Sequence, residues 1–270
     1  MNNRFLYGMF YDLMEQSHEV FRTGDGLAVL SPRAPLWIWL AQGCKAADAR
    51  LFFSAFLQEN GEQFKSESLV GLISENEAAL ACADLYARKT GLSYTLGELV
   101  AYYLPPDTKL PDGTAMSFAN GRPDSLGGLR PAGSEDWPLI REWIKAFYSE
   151  TLHAVPPQMG QNPRGSDLEA VGPEAVAKVS LFTWWDERPV AMGMLTGPTG
   201  QICRLNLVYT PPDLCGRGYG RALVSALCKL ARENGQIPML YTSGDNAASN
   251  GLYKSLGFQE AGRLTEVRFV

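Results

Sequence analysis

Ile202 to Leu230 is the stretch that most constrains this chain: an apolar run meets two prolines, three glycines and then a helical pattern. Ile202 to Tyr209 is short and rich in branched side chains, which predicts a strand. Thr210, Pro211 and Pro212 end it, because proline has no N–H to donate to a ladder. Gly216-Arg217-Gly218-Tyr219-Gly220-Arg221 comes next and leads into Leu223, Leu227 and Leu230 at helical spacing. A strand, a glycine-rich turn and a helix start, in that order, make an anion site. Glycines without Cβ atoms let backbone N–H groups converge, and the helix N-terminus adds partial positive charge. A diphosphate suits such a site.

G-x-G-x-G alone fits a dinucleotide fold or a plain tight turn equally well. The nicotinamide fingerprint needs G-x-G-x-x-G and an acidic ribose ligand after the next strand. Here the next strand, Met239 to Thr242, runs into Ser243 and Gly244, and no Gly-Lys-Ser/Thr of a P-loop is present. Beyond that strand the chain reads Asn246-x-x-Ser249-Asn250-x-x-Tyr253 and then Leu256-Gly257-Phe258. With both halves in this order, the sequence closely resembles the GCN5-related N-acetyltransferases. That family carries R/Q-x-x-G-x-G/A after its fourth strand and N-x-x-[AS]-x-x-x-Y-x-x-x-G-F after its fifth. One departure is visible: Cys215 replaces the arginine or glutamine that usually opens the loop. Backbone N–H groups do most of the loop's work, and Arg217 and Arg221 are the charges available to replace the lost one.

The resemblance implies an α/β fold with a mixed (α+β) sheet over residues 125–270 and acetyl-CoA as cosubstrate. By position, the backbone of Val208, Tyr209 and Thr210 would pair with the pantetheine arm, and Gly216, Arg217, Gly218, Tyr219, Gly220 and Arg221 would hold the pyrophosphate. Asn246 matches the family asparagine near pantetheine and is also a good helix N-cap. Asn250 fits a cofactor role or a cap-and-turn role equally. Tyr253 matches the tyrosine that protonates the departing thiolate; it is also a residue suited to packing one helix face. A phenol near its ordinary pKa of about 10 is neutral at pH 7 and can donate.

No general base is assigned. Some relatives place a glutamate twelve residues before the tyrosine, where this chain has Tyr241. Arg204, Asn206 and Tyr209 supply no fourth-strand carboxylate; Glu187 and Asp245 are the nearest acids in sequence. The expected activity is acetyl transfer to a primary amine by direct attack in a ternary complex, with an unidentified small-molecule or protein amine as acceptor. The alternatives are a non-catalytic acyl-CoA sensor and an acyltransferase with a different acyl donor.

The chain's 46% apolar and 20% charged residues mark an ordinary globular protein, and a formal charge of −5 argues against a broad nucleic-acid-binding face. No run reaches the roughly 18 apolar residues that suggest a membrane span, and the N-terminus reads as no signal peptide. Five cysteines without a C-x-x-C pair, with His18 and His153 standing alone, predict a reduced, cytoplasmic protein with no metal site. It is expected to be a monomer or homodimer.

The chain divides near Lys109 to Asp124, a stretch rich in turn formers, giving domains at 1–120 and 125–270. In the first, a helix is predicted over Arg4 to Gln16, strands at Leu27 to Leu30, Leu36 to Leu40 and Leu69 to Ile73, and a helix at Lys45 to Glu59. A capping box at Ser74-Glu75-Asn76-Glu77 opens a helix ending at Gly91, and a strand runs from Tyr94 to Leu104. This half has no glycine loop and no counterpart of Asn246 or Tyr253. It is either a degenerate second copy of the acetyltransferase fold or an unrelated α/β module walling the acceptor site. In the second domain, a strand at Leu126 to Arg130, a helix led by Ser134, a Pro/Gly-rich loop at Val155 to Gly165 and a short helix near Asp167 to Val171 are predicted. A hairpin at Val179 to Thr196 and a last strand at Arg263 to Val270 complete it.

Overall fold

The computed structural model describes Leu6 and residues 19–30, 34–61, 68–111, 127–151, 180–196 and 201–270. The predicted N-terminal helix, the 112–124 part of the turn-rich boundary, the Pro/Gly-rich loop and the short helix after it lie outside the described residues, apart from Leu6. Among those described, the strands are β1 (Glu19–Thr23), β2 (Gly26–Leu30), β3 (Leu36–Leu40), β4 (Gly71–Ser74), β5 (Tyr94–Tyr103), β6 (Gly127–Pro131), β7 (Ser180–Asp186), β8 (Arg188–Thr196), β9 (Ile202–Tyr209), β10 (Ile237–Ser243) and β11 (Gln259–Phe269). The helices are α1 (Ala46–Glu59), α2 (Asn76–Thr90), α3 (Trp137–Thr151), α4 (Tyr219–Glu233) and α5 (Ala247–Ser255).

Two compact units result. The first holds Met1–Tyr102, Tyr241–Asn250 and Glu260–Val270; the second holds Tyr103–Leu240 and Gly251–Gln259. Residues 241–250 and 260–270, which the sequence places in the C-terminal domain, thus cluster with the N-terminal residues. The strand order is β1-β2-β3-β4-β11-β5 through the first unit and β10-β9-β8-β7-β6 through the second.

In the first unit β1, β2 and β3 form an antiparallel meander, and β3 then runs parallel to β4 through Leu36↔Leu72 and Trp37↔Ile73. A parallel pair needs a crossover, which α1 supplies. The strand–helix order fixes the core: Phe52, Phe53 and Phe56 of α1 and Tyr86 of α2 are all buried with Phe269 of β11. Each such ring contributes about 1.5–3 kcal/mol by leaving water. Two residues beyond β4, the chain is already in α2. Its N-cap is Glu75, not Ser74, because Ser74 stays in β4, paired with Thr265 of β11 and 1% exposed. The predicted capping box is therefore not formed. The predicted stop at Gly91 is formed: φ is +77° and its N–H bonds Ala87 O at 2.8 Å.

In the second unit β6, β7, β8 and β9 pair antiparallel in sequence order, and β9 runs parallel to β10 with α4 as the crossover. The hairpin turn between β7 and β8 narrows to Glu187, at φ +62°. The apolar face of α3 covers this sheet through Ile140, Trp143 and Ile144, which cluster with Leu207 and Tyr209 of β9. Gly193 of β8 sits under α4, where a Cβ would fall 2.8 Å from a Leu227 methyl. The helix can approach that closely because glycine leaves the room.

Candidate cofactor site

β9 is the element that the site grows from. Its ladder with β10 comprises Ile202↔Ile237, Cys203↔Pro238 and Arg204↔Met239. From Leu205 to Tyr209 no β10 partner is present among the described residues, so one edge of β9 is left with unpaired backbone groups. On the other edge β9 pairs β8, with a register shift between Met192 and Met194. Opposite that shift Leu207 has φ +49°, the left-handed region in which a branched residue is strained. A bulge re-aims the strand's side chains and amides. Cys203, before it, lies beside Cys228 of α4, whereas Leu207 and Tyr209, after it, pack into the α3 cluster.

The strand ends as the prolines require, in a one-turn 3-10 segment at Pro212–Leu214. Gly216 at φ +76° and Gly218 at φ +86° then turn the chain into α4, with Gly218 as its N-cap. Ala222 N–H is the first to bond back into the helix, to Gly218 O at 3.0 Å. The N–H groups of Tyr219, Gly220 and Arg221 precede it and have no intrahelical acceptor. No acidic side chain stands in this first turn. A Cβ on Gly220 would meet Thr210 Oγ1 at 3.4 Å and a Leu252 methyl at 3.9 Å, so the helix start is closely flanked by the end of β9 and by α5.

The side chains of the loop mostly hold the protein together. Tyr219 is buried and donates its hydroxyl to Asp186 Oδ2 at the end of β7. Arg217 bonds Asp213 O, and Arg221 bonds the Ser255 hydroxyl and carbonyl at the end of α5. Cys215, at the position of the family's arginine or glutamine, is exposed and lies 3.4 Å from Thr210 O. Burial and the nearby Glu150 and Asp213 carboxylates push its thiol up from the usual value. Tyr209 donates to Glu150 Oε1 of α3 at 3.0 Å, and burial together with that bond pushes its phenol up to about 12. Glu150 is a carboxylate against the end of β9 that the sequence did not single out. It lies 59 residues away in the chain, and no local pattern marks it.

Tyr253 stands in the second unit, 6% exposed, edge-to-face with Phe258 at 5.6 Å between ring centres. Burial above all, and then the neighbouring Cys228, raises its phenol well above the usual value, so it stays protonated. Asn246 and Asn250 fall in the first unit and are defined by their own contacts. Asn246 Oδ1 accepts Ser249 N–H at 3.0 Å, the N-cap bond of α5. Asn250 spends its side chain on structure: its Nδ2 reaches the carbonyls of Ser243, Gly244 and Asn246, and its Oδ1 accepts the Tyr102 hydroxyl at 3.0 Å. Tyr241 is likewise engaged, donating to Leu6 O at 2.8 Å. Asp245 is exposed, with its N–H on Ser243 Oγ. Among the described residues no group of three His, Cys, Asp or Glu could hold a metal, and no helix is long and apolar enough to cross a membrane.

Against known proteins, a family model described as FR47-like protein matches residues 187–269. A mycothiol acetyltransferase of Kocuria rhizophila is 30% identical over 164 residues, covering 58% of this chain and 49% of that one. A second, from Paenarthrobacter aurescens, is 29% identical over 168 residues, covering 57% and 45%. The chain thus spans about half the length of the curated relatives it matches. Among solved structures, a GCN5-related N-acetyltransferase from Kribbella flavida aligns over 97% of this chain and 93% of its own, with a TM-score of 0.59 at 15% identity. Residues 187–269 thus match the FR47-like model, and the fold over most of the chain is that of solved GCN5-related N-acetyltransferases.

Proposed function

We propose that this protein is an acetyl-CoA-dependent N-acetyltransferase that transfers the acetyl group to a primary amine by direct attack in a ternary complex. The observation that carries the reading is the pairing of two unfilled backbone features in one unit. The edge of β9 from Leu205 to Tyr209 lacks a β10 partner, and the first turn of α4 is free of acidic side chains. An extended pantetheine arm suits the first, through Val208, Tyr209 and Thr210. A pyrophosphate suits the second, on the N–H groups between Gly216 and Arg221. Names of the relatives support the class of reaction: the curated ones are mycothiol acetyltransferases.

In this reading the amine lone pair attacks the thioester carbonyl carbon. A backbone N–H near the β9 bulge polarises the carbonyl, where developing negative charge is best met by a fixed donor. The C–S bond then breaks, its electron pair leaves on sulfur, and Tyr253 gives the thiolate its proton; the attacking nitrogen releases one proton to solvent, and solvent returns one to the Tyr253 phenolate. The buried, protonated state of Tyr253 supports this role. Asn246 caps the helix that carries it, and Asn250 fixes that helix's first turn, so both act here by positioning. Because the folded phenol titrates above its unfolded value of about 10, loss of this acid by ionisation is confined to pH above that value. A basic limb of turnover below pH 10 would belong to another group.

We also infer that the N-terminal half is a degenerate copy of the same fold. Three antiparallel strands, a helix, a parallel strand, a helix and a last strand occur as β1-β2-β3-α1-β4-α2-β5 and again as β7-β8-β9-α4-β10-α5-β11.

Calorimetric titration of the full chain with CoA, NAD and ATP tests the cofactor reading. CoA is expected to bind, and at least 10-fold more tightly than the other two, or by about 1.4 kcal/mol. No CoA binding, or equal binding of ATP, overturns it.

A further inference from the structure

Glu150 stands where helix chemistry does not ask for it. It follows Trp143 by seven residues and Phe147 by three, so it continues the stripe of α3 that packs on β9. It is also the last residue but one of α3, in a turn whose free carbonyls carry partial negative charge and disfavour a carboxylate. Tyr209, buried at 7% exposure, donates to its Oε1 at 3.0 Å. Among the described residues no cation pairs with Glu150, and its Oε2 accepts no hydrogen bond. A fixed anion without a counter-charge, kept where it costs the helix stability, is a residue held for a ligand.

Its position says which ligand. Tyr209 is one of the residues whose backbone is assigned above to the pantetheine arm, and Trp143 of α3 lies against its ring, with centres 6.4 Å apart. The two faces of the sheet are divided here: Met192 of β8 packs in the α3 cluster, and the next residue, Gly193, lies under Leu227 of α4. The glycine loop and α4 therefore take one face and α3 the other. An amine that reaches the thioester without crossing the nucleotide comes in from the α3 face, past Glu150. Half-buried Phe147 and Tyr148 stand just before it, edge-to-face at 5.4 Å between ring centres. Burial, and then Glu150 and Asp213, push the Tyr209 phenol and the Cys215 thiol up, so the local field is negative. A carboxylate set among aromatic rings suits a cation with a small apolar body.

We propose that Glu150 reads the acceptor: its carboxylate, fixed by Tyr209, binds the ammonium form of the incoming amine, so that the protein selects acceptors that are cations at neutral pH. The proposal rests on the acetyl-transfer reading above and names the substrate class of that site. The docked ammonium gives one proton to solvent, which frees its lone pair for the attack already described, and Glu150 stays a carboxylate throughout. Tyr209 serves both substrates, by its backbone toward the cofactor and by its hydroxyl toward the carboxylate. Because Glu150 holds the amine before the reaction begins, its contribution falls on acceptor binding and not on the chemical step.

Calorimetry on the full chain saturated with CoA, with benzylamine and benzyl alcohol as probes at neutral pH, tests this on wild type and Glu150→Gln. The probes share a ring and differ in charge. Glutamine keeps an oxygen for the Tyr209 hydroxyl and removes only the negative charge. Wild type is expected to bind benzylamine at least about 3-fold more tightly than the alcohol, a modest ratio because Glu150 is exposed and water screens the pair. Glu150→Gln is expected to bind the two alike, with CoA affinity unchanged, which also reports that it is folded. A wild type that binds both probes alike or neither, or a preference for benzylamine that survives in Glu150→Gln, overturns the proposal and leaves the cofactor reading intact. A variant that loses CoA affinity shows Glu150 serving the cofactor or the fold, and overturns it as well. Failure of wild type to bind CoA ends both readings.

Discussion

Two helices in this molecule come after a strand of a parallel pair, and they begin in opposite ways. α1 comes after β3 in the first unit, and its start is filled by the protein's own acids: Lys45 N–H bonds Asp48 Oδ2 at 2.8 Å and Ala46 N–H bonds Glu77 Oε1 at 3.0 Å. α4 comes after β9 in the second unit with no acid in its first turn and two left-handed glycines leading in. A helix start exposes the same donors and the same partial charge wherever it occurs. What distinguishes a scaffold from a site is whether the sequence supplies the anion. In the first half Asp48 and Glu77 do so. In the second the chain withholds it and adds Arg217 and Arg221 nearby.

Giving α4 the acid that α1 already has is the sharpest way to break this contrast. Gly220→Asp places a carboxylate at the second helical position, where an acidic residue stabilises the helix by about 0.3–1 kcal/mol. The site has room for the change at little cost, since Gly220 has no positive φ and its nearest neighbour is 3.4 Å from a new Cβ. CoA affinity is expected to fall about 100-fold or more, because several charge-assisted bonds are replaced by repulsion, while the melting temperature holds or rises. Calorimetry beside a thermal melt checks both. Retained affinity in the folded variant would show the loop to be only a turn. Gly218→Asp is a poorer probe, because φ +86° adds backbone strain to the charge.

The next effect in size belongs to Tyr253→Phe. The ring and its contact with Phe258 remain and only the hydroxyl is lost, so stability changes by about 1 kcal/mol or less. Turnover with a cognate amine is expected to fall roughly 10- to 1,000-fold with acetyl-CoA affinity little changed. Single-turnover rates of the two proteins decide it. An unchanged rate means the thiolate leaves without this acid.

The same contrast explains what could be read from the sequence. β9 is legible to the residue, because prolines and branched side chains act locally, and α4 is legible because glycines and a leucine stripe do. β1 is not: its pattern of one buried side chain, Phe21, within EVFRT carries little periodicity. Ser74 misleads because its strand pairing with Thr265 comes from almost two hundred residues away and overrides a local capping motif. For the same reason the contact of Glu150 with Tyr209 and the bonds from Arg232 to Pro105 O and Thr108 O are invisible in the sequence. Their signal is tertiary. Glu77 belongs to both kinds: the sequence marks it as a capping residue, yet the helix whose start it serves, beside its own, is α1.

That double service makes Glu77→Ala the finest test of the comparison. The substitution removes the acceptor for Ala46 N–H and an acid from the first turn of α2. A lost cap costs about 0.5–2 kcal/mol and a lost first-turn acid a few tenths more, with both groups near water. A net destabilisation of about 1 kcal/mol by denaturant titration is therefore expected. Asp48 still answers the Lys45 N–H, so α1 should keep its length. CoA affinity should stay within about twofold of wild type, a difference of less than about 0.5 kcal/mol. If Glu77→Ala instead created a second CoA-binding event per chain, the carboxylate would be a plug over a working nucleotide site. The first half would then be a silenced enzyme and not a scaffold. The α1 loop argues for the scaffold: it has the single glycine Gly43 between β3 and the helix, where the α4 loop has Gly216 and Gly218. One such residue leaves too little open backbone for a pyrophosphate to approach.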